Sequence, residues 1–179
     1  MRIRTLMMLL ALGCVAQVAL SAHDDHDDQF LARFDGGIGV DPVSNVAGTV
    51  NQDGTFPNVK QNIVRGVPPA APWRIAELKA DVRPDGRIRV RGRGLLLANG
   101  NNIGLNGNAS VFATLICESA APFIEHNSVV SVPLEPNGDF RIDSTLNTVP
   151  YECPSPVLLI RNTSGVWFAA GIPKLGDDD

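Results

Sequence analysis

Residues 76–94 read AELKADVRPDGRIRVRGRG, two alternating apolar and polar runs on either side of Pro84-Asp85-Gly86. Proline presets the first turn angle and glycine takes the left-handed conformation that closes a three-residue hairpin loop, so Arg83 is expected opposite Arg87. That register sets Val82 against Ile88, Ala80 against Val90 and Leu78 against Gly92 on one face. The other face receives Asp81 against Arg89, Lys79 against Arg91 and Glu77 against Arg93. A slip of one residue would turn the whole apolar set to water, so turn chemistry and alternation specify one antiparallel pairing.

The same design recurs at Pro136-Asn137-Gly138, where Val132 is expected to face Ile142 and Leu134 to face Phe140. Residues 110–118, SVFATLICE, are apolar on both faces, the mark of a central strand. Residues 156–160 and 166–170, joined by Asn162-Thr163-Ser164-Gly165, make a third hairpin, and an early strand runs through Phe34, Ile38 and Val40. Asp53-Gly54 marks a further turn, and only Trp73 to Lys79 could pass as a short helix. The expected fold is therefore all-β: a two-sheet antiparallel sandwich, Ig-like in general shape, of seven or eight strands in one domain over residues 32–175. A small closed barrel is the alternative.

The ends of the chain differ from this body. Arg2 and Arg4, the apolar run Thr5 to Leu20 and the small residues Leu20-Ser21-Ala22 read as a signal peptide over residues 1–22, too short for a comfortable membrane span. Ala11-Leu12-Gly13-Cys14 loosely resembles a lipoprotein box, but the apolar run continues past Cys14, and a soluble secreted or periplasmic product is the expected outcome. Residues 23–31 form a polar arm containing HDDHDD, expected to be disordered, and residues 176–179 an acidic tail. With Cys14 removed, Cys117 and Cys153 remain in an oxidising compartment, so they are expected to form a disulfide stabilising the fold by about 3 to 4 kcal/mol.

The blocks RFDGGIGV, VRGVPPAAPWRIAELKADV, DGRIRVRGRGLLLANG, SPVLLIR and WFAAGIP resemble those of a family of uncharacterised exported bacterial β-rich proteins. The resemblance covers nearly all of the body after the arm. It implies export and a β-rich fold, and it assigns no activity and no site residue.

The chain has 15 Lys+Arg and 19 Asp+Glu, but seven of the acids lie in the arm and tail and two of the bases in the leader. The body is thus near neutral, which argues against nucleic acid as a partner. Nucleophilic catalysis has little support, since there are three histidines and no G-x-S-x-G, H-E-x-x-H or P-loop pattern. A hydrolase with carboxylates whose pairing is spatial is one remaining alternative. Another is a periplasmic metal-binding protein holding Cu or Zn weakly through His23, Asp24, His26 and Asp27, which offer imidazole and carboxylate ligands. A copper brace at His23 would need a second fixed histidine, for which His126, expected on a surface loop, is the candidate, with Tyr151 beside it.

Arg87, Arg89, Arg91 and Arg93 recur at every second position of one strand, about 7 Å apart, and form the candidate binding row. Such a row suits an anionic envelope component, although Asp81 and Glu77 opposite two of its members offset part of its field. The expected function is an exported, non-catalytic binding or envelope-associated interaction module. The loop from Asn99 to Asn108 carries no acid, so it lacks the carboxylates of a calcium site and is expected only as a flexible contact loop.

Overall fold

The computed structural model describes residues 30–40, 45–46, 52, 59–60 and 62–174. The candidate signal peptide, residues 23–29 of the arm, the Asp53-Gly54 turn and the acidic tail lie outside the described residues. Within them the strands are β1 (Ala32–Gly39), β2 (Asn45–Val46), β3 (Val59–Lys60), β4 (Trp73–Arg74), β5 (Glu77–Val82), β6 (Arg87–Arg93), β7 (Leu96–Leu97), β8 (Ser110–Ile116), β9 (His126–Asn127), β10 (Val132–Pro133), β11 (Phe140–Thr145), β12 (Val157–Asn162) and β13 (Trp167–Pro173), with one 3-10 turn at Gly100–Asn102. Nine strands join in one antiparallel sheet ordered β10-β8-β12-β13-β1-β5-β6-β11, with β9 also paired to β8, while β2–β3 and β4–β7 form small ribbons.

This large sheet curls until its ends approach. The Val129 N–H donates to the Thr145 carbonyl at 3.0 Å and the Asn147 N–H to the Asn127 carbonyl at 2.8 Å, so the stretch after β9 meets the end of β11. The main core lies inside the curl and includes Leu78, Ile88, Leu115, Ile142, Leu158 and Ile160, all sealed from solvent. Trp73 stacks on Phe168 there with ring centroids 4.2 Å apart. The all-β antiparallel expectation holds, but the strands follow one continuous path of hydrogen bonding, where two facing sheets were expected.

Residues 77–93 form the expected hairpin, residue for residue, from Glu77 against Arg93 to Val82 against Ile88. The Arg83 N–H donates to the Arg87 carbonyl at 2.9 Å, and Gly86 has φ +83°. At Pro136-Asn137-Gly138 the turn is the same, with the Glu135 N–H on the Asp139 carbonyl at 2.9 Å, but the hairpin is not. There β11 pairs with β6 and β10 pairs with β8, so the expected facing of Val132 with Ile142 does not form as a strand pair. Proline supplies the reason. Counting back from the bonded pair Glu135/Asp139, Pro133 would meet Arg141 at the next hydrogen-bonded position, where a strand must donate and proline has no N–H. In the first hairpin that position is Asp81, which can donate.

Two further expectations change. Residues 73–79 form strand β4 and the start of β5, with no helix, because Trp73 and Leu78 both reach the core. In β1 the register shifts between Phe34 and Gly37, around Gly36 at φ +104°. Phe34 enters the main core and Val40 a second one, while Ile38 is left 53% exposed. Strict alternation across residues 34–40 is lost at the bulge.

Cys117 and Cys153 form the expected disulfide, with Cα atoms 4.4 Å apart and a sequence separation of 36. It ties the end of β8 to the connection that carries the chain from β11 to β12. That connection is also held at Thr148, whose carbonyl and hydroxyl lie 3.0 and 2.8 Å from His126 Nδ1.

Candidate functional site

Strands β1, β5, β6 and β11 lie side by side, and alternation sends their polar residues to one outer face. The pairings align these residues in ranks that run across the strands. One rank reads Arg33, Asp81, Arg89, Asp143, with alternating signs. Its neighbour reads Asp35, Lys79, Arg91, Arg141, where three cations stand on adjacent strands about 4.8 Å apart. At the turn end Arg83 and Arg87 face one another, a further like-charged pair.

Ion pairs separate the two ranks. Asp81 contacts Arg33 at 3.5 Å and Asp143 contacts Arg89 at 3.4 Å, so the alternating rank neutralises itself. In the cationic rank Lys79 reaches Asp35 at 3.5 Å, and Arg141 only grazes Asp143 at 3.9 Å. Arg91 has no salt bridge among the described residues. A shallow depression of about 290 Å³ lies over this spot, lined by Lys79, Asp81, Arg89, Arg91 and Arg141. Like charges directly opposed on neighbouring strands are destabilising, so the arrangement opposes folding slightly and favours an anion placed between them.

The arginine row expected along β6 is thus present but interrupted. Arg87 contacts Asp85 at 3.3 Å, Arg89 contacts Asp143, and Arg93 contacts Glu77 at 3.3 Å. The stronger cationic feature crosses the strands through Arg91. Arg141 and Lys79 were legible as outward residues, but their alignment needed the β6–β11 pairing, for which residues 132–143 carry no local signal.

The metal candidates His23, Asp24, His26 and Asp27 lie outside the described residues. Among the described residues no three His, Cys, Asp or Glu side chains gather as a ligand set. His126 is not on a surface loop: it sits in β9 opposite Leu115, 5% exposed, while Tyr151 is fully exposed. His126 packs as part of the closure between β8 and the β11–β12 connection, with Nδ1 against Thr148.

For a hydrolase, a carboxyl with a raised pKa would be the signature of a proton donor. Burial, the largest single influence on Glu118, does act upward. Backbone N–H groups of Ile124, Glu118 itself and Cys117, together with the field of His126, outweigh it and hold the group below its usual value. The loop from Asn99 to Asn108 is anchored, not loose: the Leu97 N–H donates to the Leu105 carbonyl at 2.9 Å, and the Asn106 amide donates to the Leu134 and Glu135 carbonyls at 3.1 Å each.

No family model matches this chain, and neither a curated protein nor a solved structure does so. No helix among the described residues is long and apolar enough to cross a membrane.

Proposed function

We propose that the protein is an exported, non-catalytic binding module that holds an anionic glycan of the cell envelope on the outer face of β5, β6 and β11. The observation that carries this reading is the rank Lys79, Arg91, Arg141, three cations in line across adjacent strands with one acid, Asp35, at the end of the rank. Carboxylate, sulfate or phosphate groups spaced along a sugar chain would lie across the strands, meeting one cation per strand and relieving their mutual repulsion. Export to the periplasm or beyond is supported by the leader-like residues 1–22 and by a cysteine pair that needs an oxidising compartment. Membership of the exported β-rich family that the sequence blocks resemble is part of the same reading. So is a sandwich-like form of the fold, in which the β8–β12–β13 half faces the β5–β6–β11 half across the main core.

The test is titration of the exported chain with sulfated and uronate hexasaccharides, with lipopolysaccharide, and with duplex DNA of matched charge. Binding of the glycans that weakens at least tenfold in the Lys79→Gln/Arg91→Gln/Arg141→Gln variant is the expected result. Equal binding by that variant, or a preference for the DNA, would overturn it.

A further inference from the structure

The turn end of the same face has a second feature. Arg83 and Arg87 are opposed there, Arg83 has no salt bridge among the described residues, and Arg87 meets only its neighbour Asp85. The Phe30 ring lies under both Arg33 and Arg83, with guanidinium carbons 4.9 and 5.9 Å from its centroid. Phe30, Asp81, Arg83, Arg87 and Arg89 enclose a small pocket of about 90 Å³. The Leu31 N–H donates to the Val82 carbonyl at 2.8 Å, which fixes where the preceding chain leaves the sheet: at Arg83, beside this pocket. The residues that precede Phe30 are His23-Asp24-Asp25-His26-Asp27-Asp28-Gln29.

We propose that the acidic segment Asp24 to Asp28 docks on the Arg83–Arg87 end of the basic face as an intramolecular counter-ion. Length allows it. Asp28 is two residues from Phe30, about 7 Å of extended chain, and Asp24 is within about 20 Å, whereas Arg87 lies one strand spacing beyond Arg83. Charge favours it, because four carboxylates arrive where two guanidinium groups repel each other. Phe30, held between two arginines, anchors the exit so that the acids emerge over the pocket. Contacts of this kind are individually weak, but a tether of one or two residues holds the segment at millimolar effective concentration. The docked arm then competes with any anion for the face. That consequence rests on the glycan reading, while the docking itself does not.

The experiment uses the exported chain, residues 23–179, with a nitroxide label on His26→Cys. At low salt the label is expected to broaden the backbone amide signals of Arg83 to Arg89 and to leave those of Asn99 to Asn108 sharp. In 0.5 M NaCl, where charges are screened within about 4 Å, the broadening should disappear. Absence of broadening at Arg83 to Arg89, or equal broadening of both regions, overturns the docking whether or not a glycan binds.

Replacing Asp24, Asp25, Asp27 and Asp28 by Asn should abolish the salt-sensitive broadening and raise affinity for the sulfated hexasaccharide several-fold. Broadening that survives those four substitutions overturns the counter-ion role. If the labelled arm behaves as expected while no glycan binds to either form, the docking stands and the glycan reading fails.

Discussion

The curled sheet has two outer faces, and the chain treats them in opposite ways. On the β8–β12–β13 side the outward residues are Ile116, Leu159 and Trp167, and together with Val40 and Val67 they form a second apolar cluster. Arg161 is buried on that side, its guanidinium contacting Glu125 at 2.6 Å, the Gly165 carbonyl at 2.8 Å and Thr114 Oγ1 at 3.4 Å. On the β5–β6–β11 side the outward residues are charged, and the cationic ones stand in an incompletely neutralised rank. One face is thus consumed by folding, with its buried Arg161 satisfied from three directions. The other keeps its charges in solvent, and there Arg91 has no salt bridge among the described residues. Function is expected on the face where charge has not been used up.

The comparison is broken most severely through the covered face. Trp167 is buried, and its indole N–H donates to the Asn62 carbonyl at 3.0 Å. Trp167→Ala should destabilise the protein by about 3 to 5 kcal/mol in urea unfolding, from lost burial and the cavity left behind. A loss below about 1 kcal/mol would mean that the second cluster is not a core.

Glu125→Gln comes next, because it leaves the buried Arg161 cation with neutral acceptors only. Breaking a fully buried ion pair costs about 3 to 5 kcal/mol. Glu125 is partly exposed, so a loss of about 2 kcal/mol is expected, again from urea unfolding.

On the bare face the sign should reverse. Arg91→Thr removes the middle member of the like-charged rank and should leave stability unchanged or raise it by up to about 0.5 kcal/mol. Its glycan affinity should nevertheless fall, as calorimetry would record. A clear destabilisation there would show the rank to be structural.

The smallest effect concerns the exposed pair Arg93–Glu77, 3.3 Å apart with both side chains largely in solvent. A double-mutant cycle should give a coupling of about 0.2 to 1 kcal/mol that fades with added salt.

The two Pro-X-Gly turns show what could be read locally. Residues 83–87 and 135–139 form the same hydrogen-bonded loop with glycine φ values of +83° and +82°, as their sequences dictate. Only the first continues into a hairpin, and Pro133 marks the difference in the sequence itself. The partner that β11 takes instead, β6, carries no such mark. It follows from the fit of Phe140 over Gly92, where a Cβ would run into the phenyl ring, and from the Gly94 N–H donating to the Asp139 carboxylate at 3.0 Å. His126 is a second case. Its neighbours Glu125 and Asn127 look like a polar loop, yet the ring is buried because the β11–β12 connection passes over it.

By itself the sequence determined the all-β class, the turns at Gly86, Gly138 and Gly165, the register of residues 77–93 and the cysteine pair, because each of these depends on contacts between residues near in sequence or on chemistry with only one available partner. Tertiary structure alone decided which strands became neighbours across the long connections, and therefore that Lys79, Arg91 and Arg141 stand in line. The physical reason is that alternation within a strand tells each side chain which face it occupies, whereas charge at a surface depends on the strands alongside, and these are chosen by packing summed over the whole curl.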